Sequence, residues 1–278
     1  MTAVPSQPVP ARADLPPDAD PPTEPVILAE GLTKVFTSRT RAGRLRRERT
    51  DFVAVDGIDL RVAPGELVGY IGPNGAGKST TIKMLTGILT PSSGTLRVAG
   101  FEPQRDRVKL ARRIGVVFGQ RTTLWWDLPL RDSFTLLQRL YRIPPERYAA
   151  NLAFYIDALD LGPFLDRPVR QLSLGQRMRG DITAALLHDP AVVYLDEPTI
   201  GLDVVSKHAV REFLRELNLR TGTTILLTTH DVDDIERLCS RVVAIDHGRV
   251  TYDGPLETLR ADRDLETVVR ELYSRQEL

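Results

Sequence analysis

The sequence has a single cysteine, Cys239, and therefore no internal disulfide. This fits a reducing compartment, and we expect Cys239 to be an inert, partly buried thiol. Long apolar runs are also missing, since nothing approaches the roughly 18 to 20 residues of a membrane-spanning helix, and no basic region followed by an apolar one opens the chain. We therefore expect a chain that is neither secreted nor membrane-spanning, so that any action at a membrane depends on the span of another polypeptide.

Net charge is absent as well, because 37 Lys and Arg residues balance 37 Asp and Glu residues. Without a global basic field, we expect no nucleic acid as a partner. Basic residues concentrate in one stretch, Ser38 to Thr50, which we interpret as a solvated, mobile loop. Contact with anionic lipid headgroups, worth about 1 kcal/mol per basic residue, is the alternative. The arginines of this stretch are Arg39, Arg41, Arg44, Arg46, Arg47 and Arg49.

The chain of 278 residues is long enough for one large domain or two small ones. Residues 1 to 25 combine prolines with small and acidic side chains, which cannot form a packed core, and we expect a disordered tail there. Beyond it, short apolar runs bounded by turns predict strands. The predicted strands are Val26 to Ala29, Phe52 to Val62, Leu67 to Ile71, Thr95 to Val98, Ile114 to Phe118, Ala191 to Leu195, Thr224 to Thr229 and Val242 to Ile245.

The last four of these runs are continuously apolar or β-branched. This pattern is typical of strands that are covered on both faces in a parallel sheet. The stretch from Leu130 to Leu165 differs, because its apolar residues recur at helical spacing and are interrupted at Pro144-Pro145. It predicts a helical insertion of at least two helices.

A glycine-rich loop follows the predicted strand that ends at Ile71. The loop reads Gly72-Pro73-Asn74-Gly75-Ala76-Gly77-Lys78-Ser79, and helix-like sequence begins with Thr80. Its backbone N–H groups can point inward at phosphate oxygens, Lys78 can reach the β- and γ-phosphates, and the Ser79 hydroxyl can hold Mg²⁺. The strand before and the helix after are the context that such a loop requires, so the sequence predicts a binding site for a nucleoside triphosphate.

Two carboxylates, Asp196 and Glu197, end another apolar strand. The carboxyl ends of parallel strands face the ligand, so both acids should lie near the loop. Asp196 would then orient Mg²⁺ through its water shell, and Glu197 would polarise the attacking water. An acidic strand end on a solvated loop is the plainer interpretation.

A second possible anion site lies at Leu172-Ser173-Leu174-Gly175-Gln176, ahead of a predicted helix. Ser173 and the Gly175 amide would lie at the N-terminus of that helix. Taken alone, this motif could equally be a helix cap.

The order of these motifs resembles that of the nucleotide-binding subunit of ABC transporters, over nearly all of residues 26 to 255. The resemblance implies an α/β fold, namely a P-loop NTPase core of the RecA-like type with a mostly parallel sheet, an antiparallel β subdomain and a helical signature subdomain. It also implies one ABC-type ATP-binding domain over residues 26 to 278, with the helical subdomain near residues 121 to 180.

The resemblance assigns roles to individual residues. The glycine loop matches Walker A, Leu172 to Gln176 match the signature, Asp196 and Glu197 match the Walker B pair, and Gly201-Leu202-Asp203 match the D-loop. Gln120 matches the Q-loop, which links Mg²⁺ and the attacking water to the helical insertion, and His230 matches the switch histidine at the γ-phosphate. The implied catalytic residues are Glu197, His230, Lys78 and Gln120. The implied Mg²⁺ ligands are Ser79, Gln120 and Asp196. The implied ATP contacts are Phe36, the loop from Gly72 to Ser79, Thr80 and, from a partner cassette, Ser173, Gly175, Gln176 and Asp203.

Plainer roles remain open for several of these residues. Phe36 stands where the family usually stacks a Tyr on adenine, but it could instead be a core aromatic. Asp203 could merely cap the following helix. His230 is singled out because it follows an apolar strand and should share the edge of Glu197, whereas His188, His208 and His247 are expected to be structural.

The signature also departs from the family, which usually has Gly in place of Leu174. Close approach to a phosphate across a dimer is in doubt there, and we expect a working but modified signature.

Trp125-Trp126 follow Gln120, beside the surface that in this family receives a helix of the permease. They could instead belong to the core of the helical insertion.

Together these features predict an ATPase subunit that uses ATP and Mg²⁺ and works as a pair with a second copy or a related cassette. It would drive a separate membrane permease from the cytoplasmic face of the membrane. The single cassette, the short tail after Asp253, the separate permease and the stretch from Gln120 to Leu128 together most resemble ATPases of ABC type-2 drug and glycoconjugate exporters. Within that class the chain is similar to drug or viologen exporter ATPases, so drugs, lipids or glycoconjugates are the expected cargo.

Two other classes are less consistent with the sequence. A soluble ABC ATPase acting on ribosomes or DNA would usually have a second cassette or a long coiled coil between Ser79 and Ser173. A nucleotide-binding regulator without hydrolysis is disfavoured by Glu197 and His230.

Overall fold

A computed structural model describes residues 24–41, 47–119, 121–261 and 263–274, with backbone alone for 39–41, 47–49 and 272–274. Two predictions fall largely or wholly outside these ranges: the tail at residues 1 to 25, of which only the last two are included, and Gln120. Within the described ranges, no helix combines the length and apolar character needed to cross a membrane.

The secondary structure alternates strands and helices along the chain. The strands are β1 (Ile27–Arg41), β2 (Arg47–Val62), β3 (Leu67–Ile71), β4 (Ser93–Val98), β5 (Ile114–Phe118), β6 (Val192–Asp196), β7 (Thr224–Thr228), β8 (Arg241–Asp246) and β9 (Arg249–Pro255). The helices are α1 (Lys78–Leu85), α2 (Arg107–Ala111), α3 (Leu130–Tyr141), α4 (Pro145–Ala158), α5 (Leu174–Leu186), α6 (Val204–Thr221), α7 (Val232–Leu238), α8 (Leu256–Arg260) and α9 (Leu265–Ser274).

A six-stranded sheet with the order β5-β6-β7-β3-β8-β9 forms the centre of the molecule. All neighbouring pairs are parallel except β8 and β9, which are antiparallel. The expected mostly parallel sheet is therefore confirmed. The sequence analysis missed β9, whose residues alternate between exposed and partly buried positions. An edge strand of this kind lacks the continuous apolar run by which buried parallel strands are recognised.

The buried side chains divide into two clusters on the faces of this sheet. Val193 and Leu195 of β6 point into one cluster, which also contains Phe134 of α3. Val192 and Tyr194, the alternate residues of the same strand, point into the other. The sheet is thus covered on both faces, which is why its strands read as continuous apolar runs.

An antiparallel sheet with the order β2-β1-β4 packs beside the central sheet, as expected. The β1–β2 ladder runs from Ile27 opposite Val62 to Arg41 opposite Arg47. The prediction of a loop over residues 38–50 is therefore wrong at both ends, because 38–41 pair with 47–50. The ladder needs only backbone N–H and C=O groups, so a run of charged side chains does not prevent it. Residues 42–46 and the arginine side chains of this stretch are outside the described part of the structure.

The helical insertion contains the break that the sequence predicts. Helix α3 ends with Arg142 in the left-handed region, at a φ of 57°. Pro144 then precedes α4, which begins with Pro145 at a position where a missing N–H costs nothing. At least two helices, α3 and α4, are thus confirmed in the insertion.

One glycine sets the distance between β5 and α5. A Cβ on Gly115 would lie 2.2 Å from the carbonyl oxygen of Ala185 in α5, whereas nothing lies within 4 Å of a Cβ on Gly162. We predict that Gly115→Ala lowers the free energy of unfolding by about 1 to 3 kcal/mol, since a backbone atom must move. In urea denaturation, Gly162→Ala is the control and should remain within about 0.5 kcal/mol of the parent. Equal stability of the two variants would contradict the close packing.

Candidate active site

The register of the parallel strands brings the functional segments to one edge of the sheet. Phe118 of β5 pairs with Asp196 of β6, and Asp196 pairs with Thr228 of β7. The residues that follow these strand ends therefore emerge side by side, at the edge where ligands bind in open parallel sheets.

The glycine loop connects β3 to α1, as predicted. A Cβ on Gly72 would lie 2.2 Å from the carbonyl oxygen of Ile245, and one on Gly77 would lie 2.5 Å from that of Ala54. Gly77 also has a φ of 108°, which side chains rarely tolerate. These two positions therefore require glycine, and the loop passes close to the neighbouring strands as it enters α1.

Lys78 folds back over the loop. Its Nζ donates hydrogen bonds to the carbonyl oxygens of Gly72 at 2.5 Å and Pro73 at 3.0 Å. Burial lowers the pKa of Lys78, and the negative charges of Glu197 and Asp196 act in the opposite direction. The ammonium group thus lies within electrostatic reach of both acids.

An open cleft of about 440 Å³ lies at this edge of the sheet. Ser79, Gly119, Asp196 and Glu197 are among the residues that line it. The structure therefore brings the hydroxyl and the carboxylates of the predicted site to a common space.

Backbone and side-chain hydrogen bonds hold the two acids. Asp196 Oδ1 accepts a hydrogen bond of 2.6 Å from the hydroxyl of Thr228, and the Glu197 N–H donates to the carbonyl oxygen of Thr228 at 2.9 Å. Glu197 has a φ of 55°, an uncommon value for a residue other than glycine. The sequence analysis missed Thr228, and the only available signal was a hydroxyl at the end of a neighbouring strand.

Glu197 and His230 form a direct contact. His230 Nε2 lies 3.0 Å from Glu197 Oε1, and both side chains are partly exposed. Burial and the positive charge of Lys78 lower the pKa of His230, while Glu197 and Asp196 raise it. A neutral imidazole at neutral pH would donate its Nε2–H to the carboxylate, which can fix the orientation of Glu197 toward a water molecule.

The signature residues cap α5. Ser173 Oγ accepts from the Gln176 N–H at 3.2 Å, and Gln176 Oε1 accepts from the Ser173 N–H at 3.0 Å. The helix-cap interpretation is therefore correct for the isolated chain. Asp203 likewise caps α6, since its carboxylate accepts from the N–H and the hydroxyl of Ser206 at 2.9 and 2.7 Å.

The signature packs on the D-loop within the same chain. A Cβ on Gly175 would lie 2.6 Å from Ser206 Oγ, and one on Gly201 would lie 2.9 Å from a methyl carbon of Leu174. The side chain of Leu174 is thus directed at Gly201. Among the described contacts, none joins these residues to the glycine loop of the same chain.

Phe36 and the two tryptophans are exposed. Phe36 lies opposite Phe52 in the β1–β2 ladder and is 39% exposed, so the core-aromatic interpretation is wrong. Trp125 and Trp126 are 40% and 51% exposed, and the guanidinium carbon of Arg177 lies 5.9 Å from the centre of the Trp126 ring. Interpreting the tryptophans as core residues is therefore also wrong.

His188 and Cys239 have structural rather than catalytic roles, as expected. His188 is partly buried, stacks on Tyr141 with ring centres 4.1 Å apart and has Nε2 at 2.9 Å from the carbonyl oxygen of Ile114. Burial lowers its pKa to about 4. Cys239 is buried more completely than expected, and burial raises the pKa of its thiol, as suits an inert side chain.

Comparisons with known proteins agree with this geometry. The family model described as "ABC transporter" matches residues 55–200. The Nod factor export ATP-binding protein I of Cupriavidus metallidurans is 40% identical over 86% of this chain and 78% of its own length. The daunorubicin/doxorubicin resistance ATP-binding protein of Streptomyces peucetius is 39% identical over 84% of this chain and 67% of its own length.

Solved structures show the same fold. The cbiO1 protein of Clostridium perfringens, part of the ABC transporter complex cbiONQ, superposes with a TM-score of 0.72 at 26% identity, covering 91% of this chain and 96% of that one. A dimeric bacterial ABC transporter cassette superposes with a TM-score of 0.69 at 25% identity, covering 83% of this chain and 98% of that one. The predicted family and fold are confirmed, and the chain belongs to the ABC transporter family as one of its ATP-binding subunits.

Proposed function

We propose that this chain hydrolyses ATP as one of a pair of cassettes and so drives a separate membrane permease that exports its cargo. The observation that carries this proposal is the contact of 3.0 Å between Glu197 and His230, at the same sheet edge as the glycine loop. A carboxylate oriented by a neutral imidazole next to a phosphate-binding loop is suited to activating water.

Each residue of this edge has a distinct task in the proposed reaction. Glu197 accepts a proton from the attacking water, while His230 donates to the carboxylate and holds it in place beside the γ-phosphate. Lys78 exchanges its loop carbonyls for phosphate oxygens and neutralises the charge that develops on them. The N–H groups of the glycine loop hold the phosphates, and Gln120 lies in a position of the sequence that suits contact with the same water.

The donor set fits Mg²⁺. This ion prefers oxygen ligands and is usually held by one or two carboxylates together with substrate phosphates and waters. The exposed hydroxyl of Ser79 and the carboxylate of Asp196 line one cleft, and they would hold the ion together with Gln120. When bound, Mg²⁺ would neutralise phosphate charge.

The adenine would stack on Phe36. The exposure of this ring on β1 supports the assignment, because a base needs a free aromatic face. The glycine loop also approaches β2 at Ala54, so phosphates bound in this loop would lie beside the β1–β2 ladder.

A second cassette would complete the site. Ser173, Gly175, Gln176 and Asp203 would contact ATP bound to the partner's glycine loop, since they lie at helix N-termini and make no described contact with the loop of their own chain. The dimeric solved relative supports this arrangement. ATP would then stabilise the closed pair more than the open one, and hydrolysis would reopen it. Leu174 is directed at Gly201, so that the signature would act through its backbone and Ser173.

The permease would dock beside Trp125 and Trp126, which are exposed apolar anchors of the kind that interfaces favour. The helical subdomain, near residues 121–180, would carry this surface. The names of the relatives, which concern Nod factor export and daunorubicin/doxorubicin resistance, support export of a drug, lipid or glycoconjugate from the cytoplasmic face.

The first prediction concerns Glu197. Glu197→Gln should lower ATP turnover at least about hundredfold, because the amide cannot accept the proton from water, while ATP binding is retained. With ATP present, size-exclusion chromatography should show a trapped dimer. The control is Glu212→Gln at an exposed position of α6, which should turn over like the parent. Normal turnover in Glu197→Gln would refute the assignment.

A second prediction concerns the base. Phe36→Ala should raise the Kd for ATP about 5- to 150-fold, the equivalent of about 1 to 3 kcal/mol of stacking, and Phe36→Tyr should bind as the parent does. Phe52→Ala, on the strand opposite, is the control and should have little effect. Titration with a fluorescent ATP analogue measures these constants. Unchanged binding in Phe36→Ala would remove Phe36 from the site.

The transporter assignment is tested by affinity isolation of the tagged chain from its native membranes in mild detergent, followed by mass spectrometry. A multi-span protein should co-purify, and Trp126→Ala should reduce its yield severalfold through loss of an interface anchor. Leu219→Ala removes an exposed apolar side chain of α6 and should not reduce it. Recovery with ribosomes, DNA or no membrane protein would overturn the transporter assignment and leave only the ATPase.

A further inference from the structure

A buried carboxylate lies behind the active site, on the first turn of α7. Asp234 has no exposed surface and belongs to none of the motifs described above. Its Oδ1 accepts a hydrogen bond of 2.5 Å from Nε of Arg211 on α6, and Arg211 is only 7% exposed. A buried carboxylate is costly unless it is paired and hydrogen-bonded, and Arg211 supplies this partner.

The other oxygen of Asp234 joins the two loops that carry the reacting groups. Oδ2 accepts a hydrogen bond of 2.8 Å from the hydroxyl of Thr229 and a second, short one from the hydroxyl of Thr199. Thr229 directly precedes His230 in the loop after β7. Thr199 lies two positions after Glu197 in the loop after β6. A single oxygen atom therefore bridges the segments of Glu197 and His230.

His230 is anchored on its other side as well. Asp231, the next residue, caps α7 and pairs with Lys207 at 2.5 Å and with Arg211 at 3.1 Å. The N–H of Asp231 also donates to the hydroxyl of Thr229 at 3.0 Å. Both neighbours of His230 in the chain are thus fixed to α6 and α7.

The loops of Glu197 and His230 are joined at two levels. The backbone bond from Glu197 to Thr228 joins the roots of the two loops at 2.9 Å. Beyond that bond, each loop leaves the sheet. The hydrogen bonds of Thr199 and Thr229 to Asp234 then join the two loops a second time.

We propose that Asp234 is a positioning residue for ATP hydrolysis, which holds Glu197 and His230 in contact through the hydroxyls of Thr199 and Thr229. The inference rests on the roles proposed above for Glu197 and His230. The hydrogen bonds of Asp234 then have a function beyond stability. They set the positions of the Glu197 and His230 side chains, and catalytic groups must be placed within a fraction of an ångström.

The sharpest test uses Thr199→Val, which replaces the hydroxyl with a methyl group and leaves the Asp234–Arg211 pair intact. Its kcat should fall about tenfold or more with the KM for ATP changed less than about twofold, because misplacement affects the chemical step rather than ATP binding. Thr199→Ser keeps the hydroxyl and should restore kcat. Thr224→Val is the matched control, because this buried hydroxyl lies at the other end of β7, where it accepts a hydrogen bond from the Gly65 N–H.

A measurement without ATP completes the test. The chain has four histidines, and the NMR ring signals of His230 can be assigned by their loss in His230→Gln. These signals should shift in Thr199→Val and Thr229→Val and stay in place in Thr224→Val.

A kcat and a His230 signal in Thr199→Val that match those of Thr224→Val would overturn the proposal. Loss of the folded circular dichroism spectrum in both Thr199→Val and Thr229→Val would assign the network to stability alone, and would overturn it as well. Normal turnover in Glu197→Gln would instead refute the proposed function, and the His230 signals would still report whether the two loops are joined through Asp234.

Discussion

Parallel pairing of β5, β6 and β7 is the constraint on which the active site depends. It places Phe118, Asp196 and Thr228 side by side, so that the loops carrying the acids and the histidine leave the sheet together. A slip of one residue would exchange the two faces of a strand. The two cores disfavour such a slip in β6, because it would exchange Val193 with the much larger Tyr194 between two packed faces. The packing of these two apolar clusters thus determines the geometry of the active site.

The charges at this edge depend on one another. The Lys78 ammonium helps to lower the pKa of His230, which favours the neutral imidazole that can donate to Glu197. The carboxylates of Asp196 and Glu197 in turn oppose the lowering of the Lys78 pKa by burial. The cluster therefore combines a cation, two anions and a neutral donor, and the pKa values of Lys78 and His230 depend on the charges of their neighbours.

Helix α6 connects regions that are distant in the sequence. Its N-terminus is capped by Asp203 and contacts the signature, where Gly175 approaches Ser206. Further along, Lys207 and Arg211 pair with the acids of α7 and thereby reach the histidine loop. One rigid element thus contacts both the surface proposed to meet a partner cassette and the residues that hold His230, which offers a physical route between them.

The sequence by itself determined the elements whose signals are local. The glycine loop, the position of the two acids at the end of β6 and the break at Pro144 depend on neighbouring residues and on backbone geometry, and each was predicted correctly. The order of the motifs in the sequence also identified the family, and the relatives confirm it.

Only the tertiary structure decided the rest. β9 and the outer part of the β1–β2 ladder, where residues 38–41 pair with 47–50, are held by pairing with other strands, so their own residues carry little signal. The bonds from Thr228 to Asp196 and from Thr199 to Asp234 join residues 32 and 35 positions apart. Such contacts form because helices and strands pack against each other, and a hydroxyl gains its partner only when packing has brought that partner within 3 Å or so.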